Sequence, residues 1–330
     1  MNIYDIAREA QVSISTVSRV LNNKGNVNPA MKKRIEEVLK KYDYKPSAIA
    51  RGMVSKTMKS IAILTVDIRV NHYARQIYMI EQAFRKEGYN VIVCNTGGLT
   101  EECARYLEIL SEKKVDGLVL IGSVFNNLKD HPEQTALIRD VPVVIANGKL
   151  NLPNCYSVLV DDRKGIRTAA EYLYQKGHRE ILYVQDLDTD SGREKMQGFL
   201  EAMKLCDIPD GKERIFHTEY GLEGGKRAVE QILDSGRPFT GIVFGEDITA
   251  IGAMKELKKR GYRVPEDVAL TGCNNSPDSR ICDPELTTLD NKAELMGVLC
   301  ARLLQECLEG KETVTVNVAI QPEIIERMSS

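Results

Sequence analysis

The sequence predicts an α/β protein in which a small helical N-terminal domain precedes a larger body of two α/β lobes. Short helical patterns fill the first 46 residues, whereas from residue 60 onward strand-sized apolar runs alternate with amphipathic helices. This alternation is typical of parallel sheets covered by helices, and it contains too many units for one comfortable sheet. The sign of the charge also changes between the two parts, which indicates that they meet different partners.

Basic residues are concentrated at the N-terminus. Residues 1–60 contain twelve Lys and Arg against five Asp and Glu, a net charge of +7, while the remaining 270 residues carry −9. Such a division indicates that the N-terminal domain meets a polyanion and the body does not. An accidental surface bias would give the same totals, so charge alone leaves that alternative open.

Composition limits the class of protein further. Of the 330 residues 43% are hydrophobic, which is enough for two or three domain cores. The apolar runs fall well short of the ~20 residues of a membrane span, and the N-terminus lacks the apolar core of a signal peptide, so we expect a cytoplasmic protein with no membrane partner. The eight cysteines are scattered, with no CxxC and no nearby His at ligand spacing. We therefore expect buried free thiols, no metal site and no cofactor.

The N-terminal domain shows three short helical patterns. Apolar residues repeat at helical spacing over 3–10, again after Ser13, a candidate N-cap, and a third time after Asn28-Pro29, which has the cap-then-proline form of a helix start. Only Gln11-Val12 separates the first two helices. This spacing suits a helix-turn-helix, in which the second helix is presented to the major groove of DNA.

The second helix has an outer face of small, polar or cationic residues. Arg19 is long enough to reach a guanine edge, Ile14 can pack on a thymine methyl group, and hydroxyls near a helix N-terminus can bind phosphates. A solvated face without partners is the alternative. The residues that the helix does not need for its core are Ile14, Ser15, Thr16, Ser18, Arg19 and Asn22.

The segment "IYDIAREAQVSISTVSRVLNNKGNVNPAMKKRIEEVLKKYDYKPSAIARGM" closely resembles the DNA-binding head and hinge of the lactose/galactose repressor (LacI/GalR) family. The resemblance runs almost unbroken over some fifty residues. Four departures are mild: Gln11 stands for the usual turn glycine, Met31 for a common Thr, Ser47 for a common Asn, and Met53 for the usual leucine. The resemblance implies that bases are read by Ile14, Ser15 and Arg19, and that phosphates are faced by Asn2, Tyr4, Thr16, Ser18, Asn22 and Asn26.

The same resemblance implies a hinge that folds in the minor groove. Met53 lies where the family's leucine wedges into a central base step, and Met53→Ala is expected to weaken operator affinity. The hinge residues expected to contact DNA are Ala50, Arg51, Met53 and Lys56. The implied domains are 1–46 (helix-turn-helix), 47–59 (hinge helix and linker) and 60–330 (two lobes like a periplasmic binding protein, for effector binding and dimerisation), with lobe crossings near 159–162, 287–291 and 319–323.

From residue 60 the body alternates strands and helices. Strand-sized β-rich runs predict a parallel α/β architecture, and the passage from Cys155 to Asp162 leads from one set of strands to a second. The predicted strands are 61–67, 90–95, 117–122, 141–146, 156–161, 181–185, 241–245 and 268–273. The predicted helices are 73–87, 101–114, 163–177, 193–205, 222–234 and 247–260.

A dinucleotide-binding enzyme must also be weighed, because the same alternation builds Rossmann domains. Neither "TVDIRVNHY" nor "CNTGGLT", which follow the first two strands, contains GxGxxG, and "GLEGGKR" is a poor match to a P-loop. The four histidines do not accompany a Ser or Cys nucleophile in a known motif, so no catalytic residue is assigned, although sequence cannot exclude a spatial triad.

In open α/β sheets ligands lie at the carboxyl ends of strands, so two lobes predict a polar cleft between them. Polar residues follow several predicted strands, Asn274 among them, and the resemblance adds Lys195 in "KMQGF", where sugar-binding members have Arg. At Asn274, in "GCNN", such members have Asp. The candidate effector-binding residues are Asp67, Arg69, His72, Tyr73, Ser123, Asn147, Lys195, Asp247 and Asn274.

Two effector classes stay open at this point. A sugar or sugar derivative is the first expectation, although Lys for Arg removes a bidentate clamp and Asn for Asp removes a charged acceptor. A phosphorylated carrier protein is the second, because the catabolite control branch of the family also departs from the sugar-binding Arg. The alternative to an effector-controlled regulator is a solute-binding or catalytic module with an added head.

One helix-turn-helix offers few base contacts, so we expect a homodimer on a near-palindromic double-stranded operator. Helix 73–87 is a candidate for the dimer surface, although its apolar residues suit a lobe core equally. The resemblance implies a transcriptional regulator, most often a repressor, in which an effector rotates the lobes and so changes operator affinity. The sequence predicts neither the sign of the effector's action, induction or corepression, nor the genes that are controlled.

Overall fold

The computed structural model describes residues 2–21, 25–43, 57–311 and 317–330. The chain divides into two compact units at residues 59 and 60. Each unit is a separate body with its own core. Most of the predicted hinge segment lies outside the described residues, and with it the candidate residues Asn22, Ala50, Arg51, Met53 and Lys56.

The N-terminal unit contains the three predicted helices, α1 (Ile3–Glu9), α2 (Ile14–Leu21) and α3 (Pro29–Lys41). Asn28 caps α3, its Oδ1 accepting from Ala30 N at 2.9 Å, and the proline that follows begins the helix without needing a donor. Apolar residues spaced three and four apart on each helix meet at the centre and bury one another. The fully or almost fully buried members of this core are Ile6, Ala7, Ala10, Val17, Val20 and Ile35.

The body consists of two six-stranded sheets, and the predicted fold class is confirmed. The first sheet has the order β11-β5-β4-β3-β1-β2 and is wholly parallel. Its strands are β1 (Ser60–Thr65), β2 (Asn90–Asn95), β3 (Gly117–Ile121), β4 (Val143–Ala146), β5 (Cys155–Val160) and β11 (Asn317–Ile320).

The second sheet has the order β12-β10-β9-β8-β6-β7 and is parallel except where β12 pairs antiparallel with β10. Its strands are β6 (Ile181–Gln185), β7 (Ile215–His217), β8 (Gly241–Phe244), β9 (Ala269–Cys273), β10 (Thr287–Asp290) and β12 (Glu323–Ile325).

Helices cover both faces of each sheet, so the central strands are buried along their whole length, as all-apolar strands of a parallel sheet should be. The helices of the body are α4 (Asn71–Lys86), α5 (Thr100–Lys113), α6 (Pro132–Leu137), α7 (Asp162–Gln175), α8 (Asp190–Leu205), α9 (Leu222–Asp234), α10 (Asp247–Lys259), α11 (Asp278–Ile281) and α12 (Ala293–Leu308), with 3₁₀ helices at Ser123–Asp130 and Gly211–Arg214. Among the described residues no helix is long and apolar enough to cross a membrane.

The chain passes between the sheets three times: after β5, after β10, and between β11 and β12. We call the lobe built on the first sheet lobe 1 and the other lobe 2. Helix α12 follows β10 of lobe 2 but packs in lobe 1, where Met296, Cys300 and Leu304 join the core beside Ile80 and Phe84 of α4. Three crossing segments therefore connect the two lobes, which permits the lobes to move against each other about those segments.

Several elements were absent from the sequence prediction. The strands β7, β10, β11 and β12 have only three or four residues, too few for an alternating pattern to appear. Helix α12 was missed because apolar residues occupy most of its circumference, so that no one-sided stripe marks it. Helix α8 begins three residues before its predicted start, where the Thr189 hydroxyl accepts from Gly192 N at 3.1 Å.

Candidate functional site

The outer face of α2 presents the predicted recognition residues to solvent. Val17 is fully buried and fixes the helix, while Ser15 and Arg19 are exposed and Ile14 leaves 41% of its surface accessible. Thr16 and Ser18 are half-buried, and Tyr4 and Asn26 are exposed.

The N-terminus of α2 is held by a hydroxyl cluster that sequence reasoning identified only in part. Ser13 accepts from Thr16 N at 3.2 Å, as a cap should, and its Oγ also lies 2.8 Å from Ser15 Oγ and 2.7 Å from Thr16 Oγ1. The cluster fixes two hydroxyls beside the free amides of the first turn. Asn2, which is predicted to face phosphate, is exposed, and its Oδ1 caps α1 by accepting from Tyr4 N at 2.9 Å and Asp5 N at 3.1 Å.

A cavity of about 410 Å³, open on one side, lies between the two lobes. It sits at the carboxyl ends of strands of both sheets, the position expected for ligands in this class of fold. Six of the predicted effector-binding residues line it: His72, Tyr73, Ser123, Asn147, Lys195 and Asn274. Lining residues that were not predicted include Gln76, Asp162, Leu187, Thr189, Ser191, Glu246 and Asn291.

Two of the lining residues that were not predicted could have been found from the sequence. Asp162 directly follows the predicted strand 156–161, and Glu246 directly follows the predicted strand 241–245, so both lay next to a predicted strand end. No predicted strand end pointed to Asn291, because it follows the short strand β10, which was itself not predicted. Gln76 lies on α4 one turn beyond His72 and becomes a wall residue only through the packing of that helix.

The floor of the cavity is a buried ion pair. Lys195 is 6% exposed, and its Nζ donates to Glu246 Oε1 at 3.0 Å and to the Gly245 carbonyl at 2.8 Å. Burial alone lowers the pKa of Lys195, but Cys273 and the carboxylates of Glu246 and Asp162 raise it well above its ordinary value. The ammonium charge is thus fixed and already paired.

An amide relay continues from this pair. Asn274 Nδ2 donates to the second oxygen of Glu246 at 2.6 Å, and Asn291 Nδ2 donates to Asn274 Oδ1 at 3.0 Å. Both asparagines are buried. The Asn that replaces the family's Asp at position 274 therefore serves Glu246 as a donor, a role that an aspartate could not fill.

Polar contacts join the lobes along one wall of the cavity. From lobe 1, Asn147 Nδ2 donates to Asp162 Oδ2 at 3.0 Å, and Ser123 Oγ accepts from Ser191 N of lobe 2 at 3.2 Å. Ser191 Oγ also donates to Asp162 Oδ2 at 2.6 Å. Nearby, Asn126 Nδ2 donates to Asp190 at 2.6 Å, a bond that holds the pKa of Asp190 below its usual value. These contacts keep the cleft narrow.

Three buried polar atoms in the cavity wall have no hydrogen-bond partner among the described residues: His72 Nδ1, Gln76 Oε1 and Asp162 Oδ1. An unsatisfied buried polar group costs about 1–3 kcal/mol, so such atoms are rare unless a ligand or water completes them. Two of the three are oxygens that can only accept, since one belongs to an amide and the other to a carboxylate. A ligand that fits must therefore donate at least two hydrogen bonds.

Three predicted effector residues do not line this cavity. Asp67 and Arg69 bond each other, with Arg69 Nε 2.9 Å from Asp67 Oδ1, and the Arg69 side chain is 87% exposed. Asp247 turns away from the cleft at the start of α10, where it accepts from Thr288 Oγ1 at 2.5 Å and from Ser276 N at 2.7 Å. Burial raises the pKa of Asp247 to about 7. Its position is thus a structural one, between α10, β10 and the loop after β9.

The His72 imidazole gives the fold a defined acid sensitivity. Burial, with Lys195 and Arg75 nearby, lowers the pKa of His72 from 6.5 to about 3. Between these values the unfolded chain takes up a proton that the folded chain does not, so this residue makes the free energy of unfolding fall as pH falls from about 6.5 toward 3, by about 1.4 kcal/mol per pH unit.

We expect His72→Gln to remove that slope. The measurement is urea unfolding of wild type and variant at a series of pH values between 7 and 4. His217→Gln, which changes an exposed histidine, is the matched control and should leave the slope as it is. Identical slopes for wild type and His72→Gln would show that the imidazole is protonated in the folded state.

Comparisons with known proteins agree with both parts of the structure. Residues 2–47 match the family model described as bacterial regulatory proteins, lacI family, and residues 170–330 match the model of a periplasmic binding protein-like domain. An HTH-type transcriptional regulator of Lachnoclostridium phytofermentans is 34% identical over 332 residues, covering 100% of this chain and 99% of the relative. The HTH-type transcriptional repressor PurR of Photorhabdus laumondii subsp. laumondii is 30% identical over 333 residues, covering 99% of this chain and 96% of the relative.

Solved structures give the same picture. The transcriptional regulator CelR in complex with cellobiose is 25% identical, superposes with a TM-score of 0.74, and covers 100% of both chains. The lac repressor dimer bound to operator and the anti-inducer ONPF superposes with a TM-score of 0.85 over 100% of this chain and 98% of that one, and at 23% identity it shows the fold alone.

Proposed function

The chain belongs to the lacI family of bacterial regulatory proteins, and we propose that this transcriptional regulator represses from a near-palindromic operator as a homodimer and responds to a neutral, hydroxyl-rich effector in the interlobe cleft. The head would occupy residues 1–46, the hinge 47–59 and the effector-binding body 60–330. Its relatives are transcriptional regulators, and the proposal includes no reaction.

The operator part of the proposal is supported by the head. The exposed face of α2 combines an apolar side chain, hydroxyls fixed at the helix N-terminus and a long cation in Arg19, which are the three kinds of contact that major-groove recognition uses. The excess of positive charge on the first 60 residues supplies the attraction to phosphate. Specific contacts would come from Ile14, Ser15 and Arg19.

A homodimer is supported by an exposed apolar surface on lobe 1. Helices α4 and α12 pack against each other, and on their outer side Tyr78 is 61% exposed, Leu295 47% and Val298 42%. Exposed large apolar side chains on two neighbouring helices would suit a protein interface. Two copies joined there would carry two heads, as a near-palindromic operator needs.

The three unpartnered atoms carry the effector proposal. Gln76 Oε1 and Asp162 Oδ1 require donors, and hydroxyl groups supply donors without adding charge. Tyr73 and Leu187 give the cavity an apolar side on which a sugar ring can lie. The CelR complex, a relative in structure, holds cellobiose. A neutral mono- or disaccharide satisfies all of these conditions.

The charges in the cavity disfavour an anionic effector. The charged side chains among its described lining residues are Lys195, Glu246 and Asp162, and the single ammonium group is already paired with Glu246. A phosphate would therefore meet two carboxylates and no unpaired cation, which costs free energy in a partly buried site. A phosphorylated carrier protein, the second candidate effector, would have to dock elsewhere on the body.

We expect calorimetry on the full chain to detect binding of at least one neutral mono- or disaccharide and to detect none of the corresponding sugar phosphates. Gln76→Leu should then weaken that sugar about tenfold or more, because a donor of the ligand loses its acceptor. Gln82→Leu is the matched control, since Gln82 lies on the same helix, bonds Glu81 and Arg85, and does not line the cavity.

Two outcomes would contradict the sugar proposal. One is the absence of heat from every neutral sugar in the panel, which would leave a carrier protein as the better candidate. The other is tighter binding of a sugar phosphate than of its parent sugar. If the sugar is confirmed, linkage requires that operator and effector change each other's affinity by the same factor.

A further inference from the structure

A second pocket lies in lobe 1, outside the cleft. It lies between the first turn of α5 and the 3₁₀ helix Ser123–Asp130, with α6 behind it, and its empty space of about 290 Å³ includes open solvent. We call it the lobe-1 pocket. Its lining is mixed. The apolar lining residues are Leu99, Cys103, Val124, Phe125 and Leu128, and the polar ones are Thr96, Thr100, Asn127, His131 and Gln134.

Among the polar residues that line the lobe-1 pocket, Gln134 has a buried amide oxygen without a partner in the described part of the chain. Gln134 of α6 lines the pocket and is only 5% exposed, yet its Oε1 has no hydrogen-bond partner among the described residues. An amide oxygen accepts and cannot donate, so the missing partner must bring an N–H or O–H group. Because the oxygen is buried, the lack of a partner is costly.

The opposite wall is the start of α5, whose N-cap residue Leu99 makes no side-chain capping bond. Helix N-termini often attract anions, but here Glu101 and Glu102 occupy the first turn and oppose a negative charge. Both walls therefore favour an uncharged molecule.

We propose that the lobe-1 pocket binds a small neutral molecule with a largely apolar body and one hydrogen-bond donor, which is directed at Gln134. The apolar body would pack against Phe125 and Leu128, which are almost fully buried at its base. The class includes phenols, small alcohols and primary amides. This site is independent of the effector proposed for the cleft.

Occupancy of the pocket has a physical route to the cleft. The 3₁₀ helix Ser123–Asp130 presents Val124, Phe125 and Leu128 to the lobe-1 pocket, while Ser123 accepts from Ser191 and Asn126 donates to Asp190 across the cleft. A ligand that shifts this one element changes the contacts that hold the lobes together. Occupancy of the lobe-1 pocket and the contacts across the cleft would therefore be coupled.

Phenol and toluene are suitable probes, because they have nearly the same shape and differ in one donor. In the full chain with labelled Ile, Leu and Val methyl groups, phenol should shift the methyl resonances of Leu99, Val124 and Leu128, and toluene should bind about tenfold or more weakly. Gln134→Leu should abolish this preference by weakening phenol about tenfold while toluene binds at least as well as before. Gln231→Leu, at an exposed position on α9, is the matched control and should preserve the preference.

The phenol and toluene titrations can overturn the proposed site. No shift of these methyl groups at millimolar phenol, or equal affinities of the wild-type protein for phenol and toluene, overturns the site, and toluene binding by Gln134→Leu shows that the variant is folded. For the coupling, phenol should also shift the Leu187 methyl group, which lines the cleft on lobe 2. An unmoved Leu187 in the phenol-saturated protein would refute it.

Discussion

Replacing Glu246 with leucine should lower the free energy of unfolding by about 3–5 kcal/mol, the usual effect of removing one partner from a buried ion pair. Lys195 would keep its charge with 6% of its surface exposed and only the Gly245 carbonyl as a partner. Asn274 Nδ2 would lose its acceptor in the same substitution. The measurement is urea unfolding followed by circular dichroism.

Two variants separate this effect from a general sensitivity of lobe 2. In the double variant Lys195→Met with Glu246→Leu, part of the loss should be recovered, because two apolar side chains of similar size replace the pair, while Asn274 Nδ2 still lacks its acceptor. Glu213→Leu makes the same substitution in an exposed pair with Arg237, where the Glu213 side chain is 66% exposed, and should change stability far less. A Glu246→Leu variant as stable as the Glu213→Leu variant would mean that solvent enters and screens the Lys195 site.

Removal of the Arg19 side chain should reduce affinity for an operator selected from genomic fragments by about 10–100-fold, or about 1–3 kcal/mol, the range of one good base contact. Arg19 is exposed on α2, and the buried Val17 and Val20 hold that helix in place, so Arg19→Ala should not disturb the fold. Affinity for a scrambled duplex should change little. Mobility-shift titration of both duplexes at fixed salt gives the ratio.

Lys33→Ala is the matched control, since Lys33 is an exposed cation on α3. It should lower the affinity for both duplexes by the same small factor. An equal loss on both duplexes for Arg19→Ala would assign Arg19 to the phosphates and contradict the proposed base contact. The same titration on a duplex with a single half-site tests the dimer, because a dimeric regulator should bind it far more weakly than the complete operator.

The fold class could be predicted from the sequence because its main signals are local. Helical spacing, Ser13 and Asn28 as caps, and continuous apolar runs such as Ile61–Leu64 each reflect interactions within a few residues, and each corresponds to an element of the structure. Prediction failed where the signal was not local. Helix α12 belongs to lobe 1 although β10, the strand before it in sequence, belongs to lobe 2, and its apolar circumference follows from a burial that only the packing decides.

The cleft shows the same division. Strand ends predicted His72, Tyr73, Ser123, Asn147 and Asn274, because parallel strands bring their carboxyl ends to one edge of a sheet.

The sequence could not indicate which way a side chain turns at such an edge. Asp247 and Glu246 are adjacent, yet Glu246 faces the cavity and Asp247 turns to Thr288. The choice depends on partners about forty residues away.

By itself, the sequence determined that this protein has a basic helix-turn-helix head and a two-lobed α/β body, because charge, caps and apolar periodicity are properties of neighbouring residues. Only the tertiary structure decided the chemistry of the cleft. The pairing of Lys195 with Glu246, and the lack of partners at Gln76 Oε1 and Asp162 Oδ1, arise where two lobes and several strand ends meet. The pairing and the lack of partners depend on long-range packing, which no local sequence pattern indicates.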